Sequence, residues 1–231
     1  MVVPNKRSTV PVAPRNPRAQ WLHDFNNVLA AIRLQAVLAR IHADGLSPDV
    51  IEALEEIEKG CERATELLGK LPDGAVDVPA AGERGSSALT SGSGRLTANG
   101  RHGSILLMDD NESLQVSLFK ILSGLGYEVA VASGGTDCVE RLRELQADGK
   151  RVDVCILDLK VPGGMGGVET LARLREIDPQ LKAVASTGFS EGDVIVNFQR
   201  YGFQAALNKP FRIQQLVDLL DQLIEAPAYT S

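Results

Sequence analysis

From residue 22 to residue 39, apolar side chains recur at alternating spacings of three and four: Leu22, Phe25, Leu29, Ile32, Ala36 and Ala39. That period predicts a helix with one core-facing seam. Leu54, Ile57, Cys61, Ala64, Leu68 and Leu71 repeat it over the same length and predict a second helix. Between the two, Gly45 can end the first helix, while Ser47 can cap the next with Pro48 in its first turn. The result is an antiparallel helical hairpin, which by itself cannot cover its own apolar stripe. Trp21, Val28 and Leu38 add a further stripe to the first helix. The pattern therefore predicts dimerisation into a four-helix bundle, the alternative being a monomeric hairpin docked on the rest of the chain.

Residues 72–103 are rich in Gly, Ser and Ala and nearly free of large apolar side chains, the composition of a flexible linker. Beyond it the pattern changes to short apolar runs: Ile105 to Met108, Tyr127 to Ala132, Val152 to Leu157, Leu181 to Ser186 and Ala205 to Asn208. Amphipathic segments alternate with them, such as Leu114, Leu118, Leu122, Leu125 and the closing series Ile213, Leu216, Val217, Leu220, Leu223, Ile224. Continuous apolar strands imply burial on both faces, so five βα units should form a parallel α/β sheet with helices on each side. The expected boundaries are a disordered basic tail at 1–19, the hairpin at 20–71, the linker, the α/β domain at 104–226 and a short tail at 227–231.

Composition narrows the function classes. The chain has 231 residues, 44% of them hydrophobic, enough for one full core and a smaller second unit. A net charge of −6 gives no general attraction for polyanions, so direct DNA binding is not expected. The tail with Lys6, Arg7, Arg15 and Arg18 is the one basic exception. Cys61, Cys138 and Cys155 have neither disulfide-framework nor zinc-ligand spacing, which suits core filler in a reducing compartment. No apolar run is long enough for a membrane span and no secretion signal is visible, so a cytoplasmic protein is expected.

The polar residues that end the apolar runs carry the candidate chemistry. Asp109 and Asp110 follow the first run, Asp158 the third, Thr187 the fourth and Lys209 the fifth. Parallel sheets bind ligands beyond their strand carboxyl ends, so these residues should converge. Three close carboxylates call for a hard cation, Mg²⁺ being the usual choice beside phosphate. Phosphoryl transfer to a carboxylate needs metal, ammonium and hydroxyl around the phosphoryl oxygens. Asp158 can serve as nucleophile, Lys209 as ammonium and Thr187 as hydroxyl. The segments MDD at 108–110, ILDLKVPGGMGG at 156–167, STG at 186–188 and NKPF at 208–211 together resemble the receiver domain of bacterial two-component response regulators, over residues 104 to about 225. The resemblance implies a flavodoxin-like sheet of order 2-1-3-4-5, phosphorylation and autodephosphorylation at Asp158, and Asp109 and Asp110 as metal-site acids with Asp158. It also implies that Thr187 follows the phosphate, that Lys209 pairs with it, and that the Lys209 to Pro210 bond is cis. Two positions depart from the usual pattern. Ala206 stands where many relatives carry an aromatic, and Lys160 sits near the phosphoryl entrance, where its charge bears on the lifetime of an acyl phosphate.

His23 lies in the run His23-Asp24-Phe25-Asn26-Asn27-Val28-Leu29, beside the Leu22/Phe25 seam, and is expected to face solvent on the bundle surface. Asp24 could raise its basicity, and Asn27, one turn on, could position a water or a phosphoryl oxygen. This run, with Glu62-Arg63-Ala64 and Leu67-Leu68, resembles the dimerisation and histidine phosphotransfer domain of histidine kinases. In hybrid kinases an ATP-binding domain stands between such a hairpin and a receiver. Here residues 72–103 leave no room for one, so ATP-dependent autophosphorylation is not expected. Two readings remain open. Either a partner histidine kinase or phosphotransfer protein feeds a relay between His23 and Asp158, or His23 is silent and the hairpin only dimerises or docks. Asn27 also permits a phosphatase variant.

Overall fold

A computed structural model describes residues 17–41, 47–69, 103–188, 194 and 196–225. The tail before residue 17, Gly45, Leu71, the linker to residue 102 and the tail at 227–231 lie outside the described residues. Helix α1 (Pro17–Ile41) starts three residues before the expected boundary, and α2 (Pro48–Gly69) begins at the expected proline. The Ser47 carbonyl accepts from Val50 N at 3.0 Å and Ile51 N at 3.2 Å, which opens α2.

The α/β domain follows as β1 (Ser104–Met108), α3 (Glu112–Gly124), β2 (Glu128–Ala132), α4 (Gly135–Ala147), β3 (Val154–Asp158), α5 (Gly167–Ile177), β4 (Lys182–Thr187), a 3-10 turn (Phe198–Tyr201), β5 (Ala205–Asn208) and α6 (Ile213–Glu225). The five strands form one sheet of order β2-β1-β3-β4-β5, every pair parallel. Each strand lies within one or two residues of its apolar run. Asp158 and Thr187 are the last residues of β3 and β4 rather than the residues after them.

Alternation along buried strands builds two cores. Ile105, Leu107, Ile156 and Val184 face Leu118 and Leu122 of α3 and Leu216 and Leu220 of α6. Leu106, Met108, Cys155 and Leu157 face Leu142 of α4 and Leu171 of α5. Each fully buried leucine contributes about 1.5–3 kcal/mol, so this domain has ample material to fix its strand ends. All three cysteines are buried and free.

The hairpin docks on this domain. α1 packs against both α2 and α3, and its Ala30, Leu34 and Val37 join the first of the two cores. Toward the α/β domain α1 thus presents His23, Asn26, Asn27, Ala30, Leu34 and Val37, a face rotated from the expected seam, while Leu29, Ala31, Arg33 and Ala36 are buried as well. Of that seam Leu29 and Ala36 are buried, while Ile32 and Ala39 are exposed. On α2 Cys61 is buried, Leu54, Ala64 and Leu68 are half-buried, and Ile57 is exposed. The expectation that His23 faces solvent is overturned: its relative exposure is 0%. The reason is that α1 sits across the strand carboxyl ends, and a polar pocket buries polar side chains as a core buries apolar ones.

Candidate functional site

Asn111 caps α3 by accepting from Leu114 N at 3.0 Å, which turns the chain sharply after Asp109-Asp110 and holds both carboxylates at the β1 end. Asp109 Oδ1 accepts from Asn111 N at 2.9 Å, and Asp158 Oδ1 from Lys160 N at 3.1 Å. Behind a cis Lys209–Pro210 peptide, the Lys209 ammonium donates to Asp109 Oδ2 and Asp158 Oδ2, each at 2.6 Å, and to Asn27 Oδ1 at 3.2 Å. The Thr187 hydroxyl is buried beside them and donates to Gly188 O at 3.1 Å. The five residues expected at the strand ends do converge.

His23 joins them from α1. One of its ring nitrogens and carboxylate oxygens of Asp110 and Asp158 all lie within 4.8 Å of one another. Asn27 links imidazole to ammonium: its Nδ2 lies 3.1 Å from His23 Nε2. Since an ammonium can only donate, Asn27 must present Oδ1 to Lys209 and its N–H groups to His23. That network assigns Nε2 as an acceptor and places the imidazole proton on Nδ1. Burial lowers the His23 pKa, with Asp158 opposing and Lys209 and Lys160 reinforcing, which fits a neutral ring.

The pocket carries excess negative charge. Burial, with Asp158 alongside, pushes Asp109 up to about 6 against the pull of Lys209, and burial and Asp158 also raise Asp110. Burial would lower Lys209, but Asp109 and Asp158 more than reverse it, so the ammonium stays charged. One ammonium among three carboxylates leaves room for a divalent cation, and the oxygen-rich donors Asp110 and Asp158 fit a hard one.

Reading the sequence missed the contacts that seat the hairpin. Glu62 of α2 accepts from Arg33 of α1 at 2.6 Å and from Arg212, just before α6, at 2.9 and 3.1 Å. A signal existed, since Arg33 interrupts the apolar run from Val28 to Leu34 and a buried guanidinium needs a partner. Also missed were Asn26, fully buried on α1, and Gln115, whose amide donates to the backbone carbonyls of Asp109 and Ala132.

Among proteins of known type, Sporulation initiation phosphotransferase F of Bacillus subtilis is 28% identical over 52% of this chain and 92% of its own length. Sensor kinase CckA of Brucella abortus is 30% identical over 65% of this chain, which spans only 15% of the kinase. A response regulator receiver domain protein from Clostridium thermocellum is 27% identical in structure-based comparison, with 53% of this chain and 94% of that one covered and a TM-score of 0.47. The pattern of the Response regulator receiver domain family matches residues 105–221, the α/β domain whose strand ends build the pocket. The chain belongs to the response regulator receiver domain family.

Proposed function

We infer that this protein is a two-component phosphorelay element in which Asp158 accepts a phosphoryl group and exchanges it with His23 of its own hairpin. A partner histidine kinase or phosphotransfer protein supplies the phosphoryl group. The observation that carries the reading is the placement of a His23 ring nitrogen within 4.8 Å of the carboxylate oxygens of Asp158 and Asp110. In the exchange, Asn27 releases His23 Nε2, whose freed lone pair forms a bond to phosphorus while the bond from phosphorus to the Asp158 oxygen breaks and the carboxylate leaves. The reverse step returns the group to Asp158. Lys209 and the Thr187 hydroxyl stabilise the phosphoryl oxygens, and Asn27 orients the imidazole. Asp110 and Asp158, with Asp109 alongside, would hold Mg²⁺, which neutralises charge on the transferring group when bound.

The test is intact-mass and fragment analysis after treatment with a phosphorylated partner kinase or a small phosphodonor, on wild type, His23→Ala and Asp158→Ala. Wild type should carry label on both residues, His23→Ala only on Asp158, and Asp158→Ala none from a small phosphodonor. Label that persists unchanged in both variants refutes the relay.

A second reading is a response regulator whose hairpin is only a docking or dimerising element. The Asn27 contact, which occupies His23 Nε2, favours it. It predicts that His23→Ala leaves signalling intact. Homodimerisation belongs to both readings and is supported by exposed Trp21, Val28, Ile32 and Ile57 along the outer face of the hairpin. A purely monomeric species in sedimentation at micromolar concentration would remove it.

A further inference from the structure

Asn26 is 0% exposed, and neither its Nδ2 nor its Oδ1 has a hydrogen-bond partner among the described residues. A buried amide left unpaired is costly, so native proteins keep such a group only where something repays the desolvation. Asn26 lies at the strand-end pocket. A Cβ placed on Gly188, the residue after Thr187, would come within 3.3 Å of Asn26 Nδ2 and 3.7 Å of the His23 Cα. The absence of a side chain at Gly188 is what lets α1 settle so close to the end of β4. His23 Nδ1, assigned above as N–H, is likewise buried without a partner. Helical spacing puts positions 23, 26 and 27 on one face. Asn27 is already committed at both ends, to His23 and to Lys209.

We propose that Asn26 is a phosphoryl-binding residue, its side-chain N–H donating to an oxygen of the phosphoryl group on Asp158 while the hairpin is docked. This rests on Asp158 as the phosphoacceptor and assigns α1 a part in holding the acyl phosphate that is separate from nucleophilic attack by His23. A phosphoryl group has three equatorial oxygens in the transfer step, and Lys209, Thr187 and a cation approach from the α/β domain. Asn26 supplies a neutral donor from α1. It stabilises the anion without adding a positive charge that would compete with the cation.

Beryllium trifluoride with Mg²⁺, a stable mimic of the phosphoryl group, is the probe, with binding followed by calorimetry and by the rise in melting temperature. Compared with wild type, Asn26→Ala should bind the mimic at least about tenfold more weakly, as expected for a lost hydrogen bond to a charged group. Its affinity for Mg²⁺ alone should be unchanged. Asn26→Asp should bind the mimic more weakly still, because its carboxylate faces the anion. Without ligand, Asn26→Ala should melt at the same or a higher temperature, since it removes an unpaired buried amide, whereas a structural role predicts a lower one. Mimic affinity in Asn26→Ala equal to wild type overturns the proposal while leaving Asp158 as phosphoacceptor. Failure of the wild type to bind the mimic overturns both.

Discussion

At the floor of the pocket the Lys209 ammonium divides its three hydrogens among Asp109, Asp158 and Asn27. All four side chains are almost completely buried. A buried ion pair adds little net stability when intact, yet removing one partner strands the other in a low dielectric. Lys209→Ala therefore leaves two buried carboxylates without a counter-charge. Its expected cost is about 3–5 kcal/mol in urea unfolding at neutral pH without divalent cation. Added Mg²⁺ should recover part of the loss, because a cation at Asp110 and Asp158 neutralises the same charge. Variant and wild type of equal stability would show the pocket to be wetter or more relaxed than this geometry.

Between elements, the two helices of the hairpin and the start of α6 meet at Glu62. Burial alone would raise the Glu62 carboxyl, but the hydrogen bonds and charge of Arg212 and Arg33 bring it below its ordinary 4.5. For an acid depressed in the folded state, the stabilisation is fully present above the unfolded value and disappears as pH falls through the lower folded value. Wild type should thus be more stable than Glu62→Gln at neutral pH, and the difference should vanish well below pH 4.5. Chemical unfolding across that range checks the sign; a gap that widens on acidification would contradict it. The inner strands β1, β3 and β4 were legible from continuous apolar runs, because burial on both faces leaves no polar alternation, and the edge strands β2 and β5, only partly buried, were legible from their short apolar runs between helices. The docking face of α1 was not, because periodicity marks apolar positions only, and this face is polar at His23, Asn26 and Asn27. The hydrophobic count pointed instead to a seam of which Leu29 and Ala36 are buried but Ile32 and Ala39 are exposed.

Across the whole molecule, the docked hairpin covers Asp158, the phosphoacceptor of the proposed function. Asp158, Lys209 and His23 are each 0% exposed, so an external donor reaches Asp158 only when α1 lifts. The tie between Arg212 and Glu62 is largely solvent-exposed, with Arg212 68% accessible, and such pairs contribute at most about 1 kcal/mol. Losing that much docking energy raises the open population about fivefold when the closed state dominates. Arg212→Ala should therefore speed phosphorylation of Asp158 by a small phosphodonor about fivefold, measured as initial rate, and high salt should mimic it in the wild type. An unchanged rate in both arms would mean that the closed pocket is not limiting.

The sequence by itself determined the five βα units, their parallel sheet and the acidic, lysine and threonine positions at the strand ends. These depend on local burial patterns and on the rule that parallel strands deliver their carboxyl ends to one edge. It also marked His23 as a candidate through the run from His23 to Leu29. Only the tertiary structure decided which face of α1 is buried, that His23 lies over Asp158, and that Glu62 ties Arg33 to Arg212. Those outcomes depend on two surfaces fitting each other across a long stretch of chain. Complementarity of charge and shape between distant segments leaves no periodic trace in either segment alone.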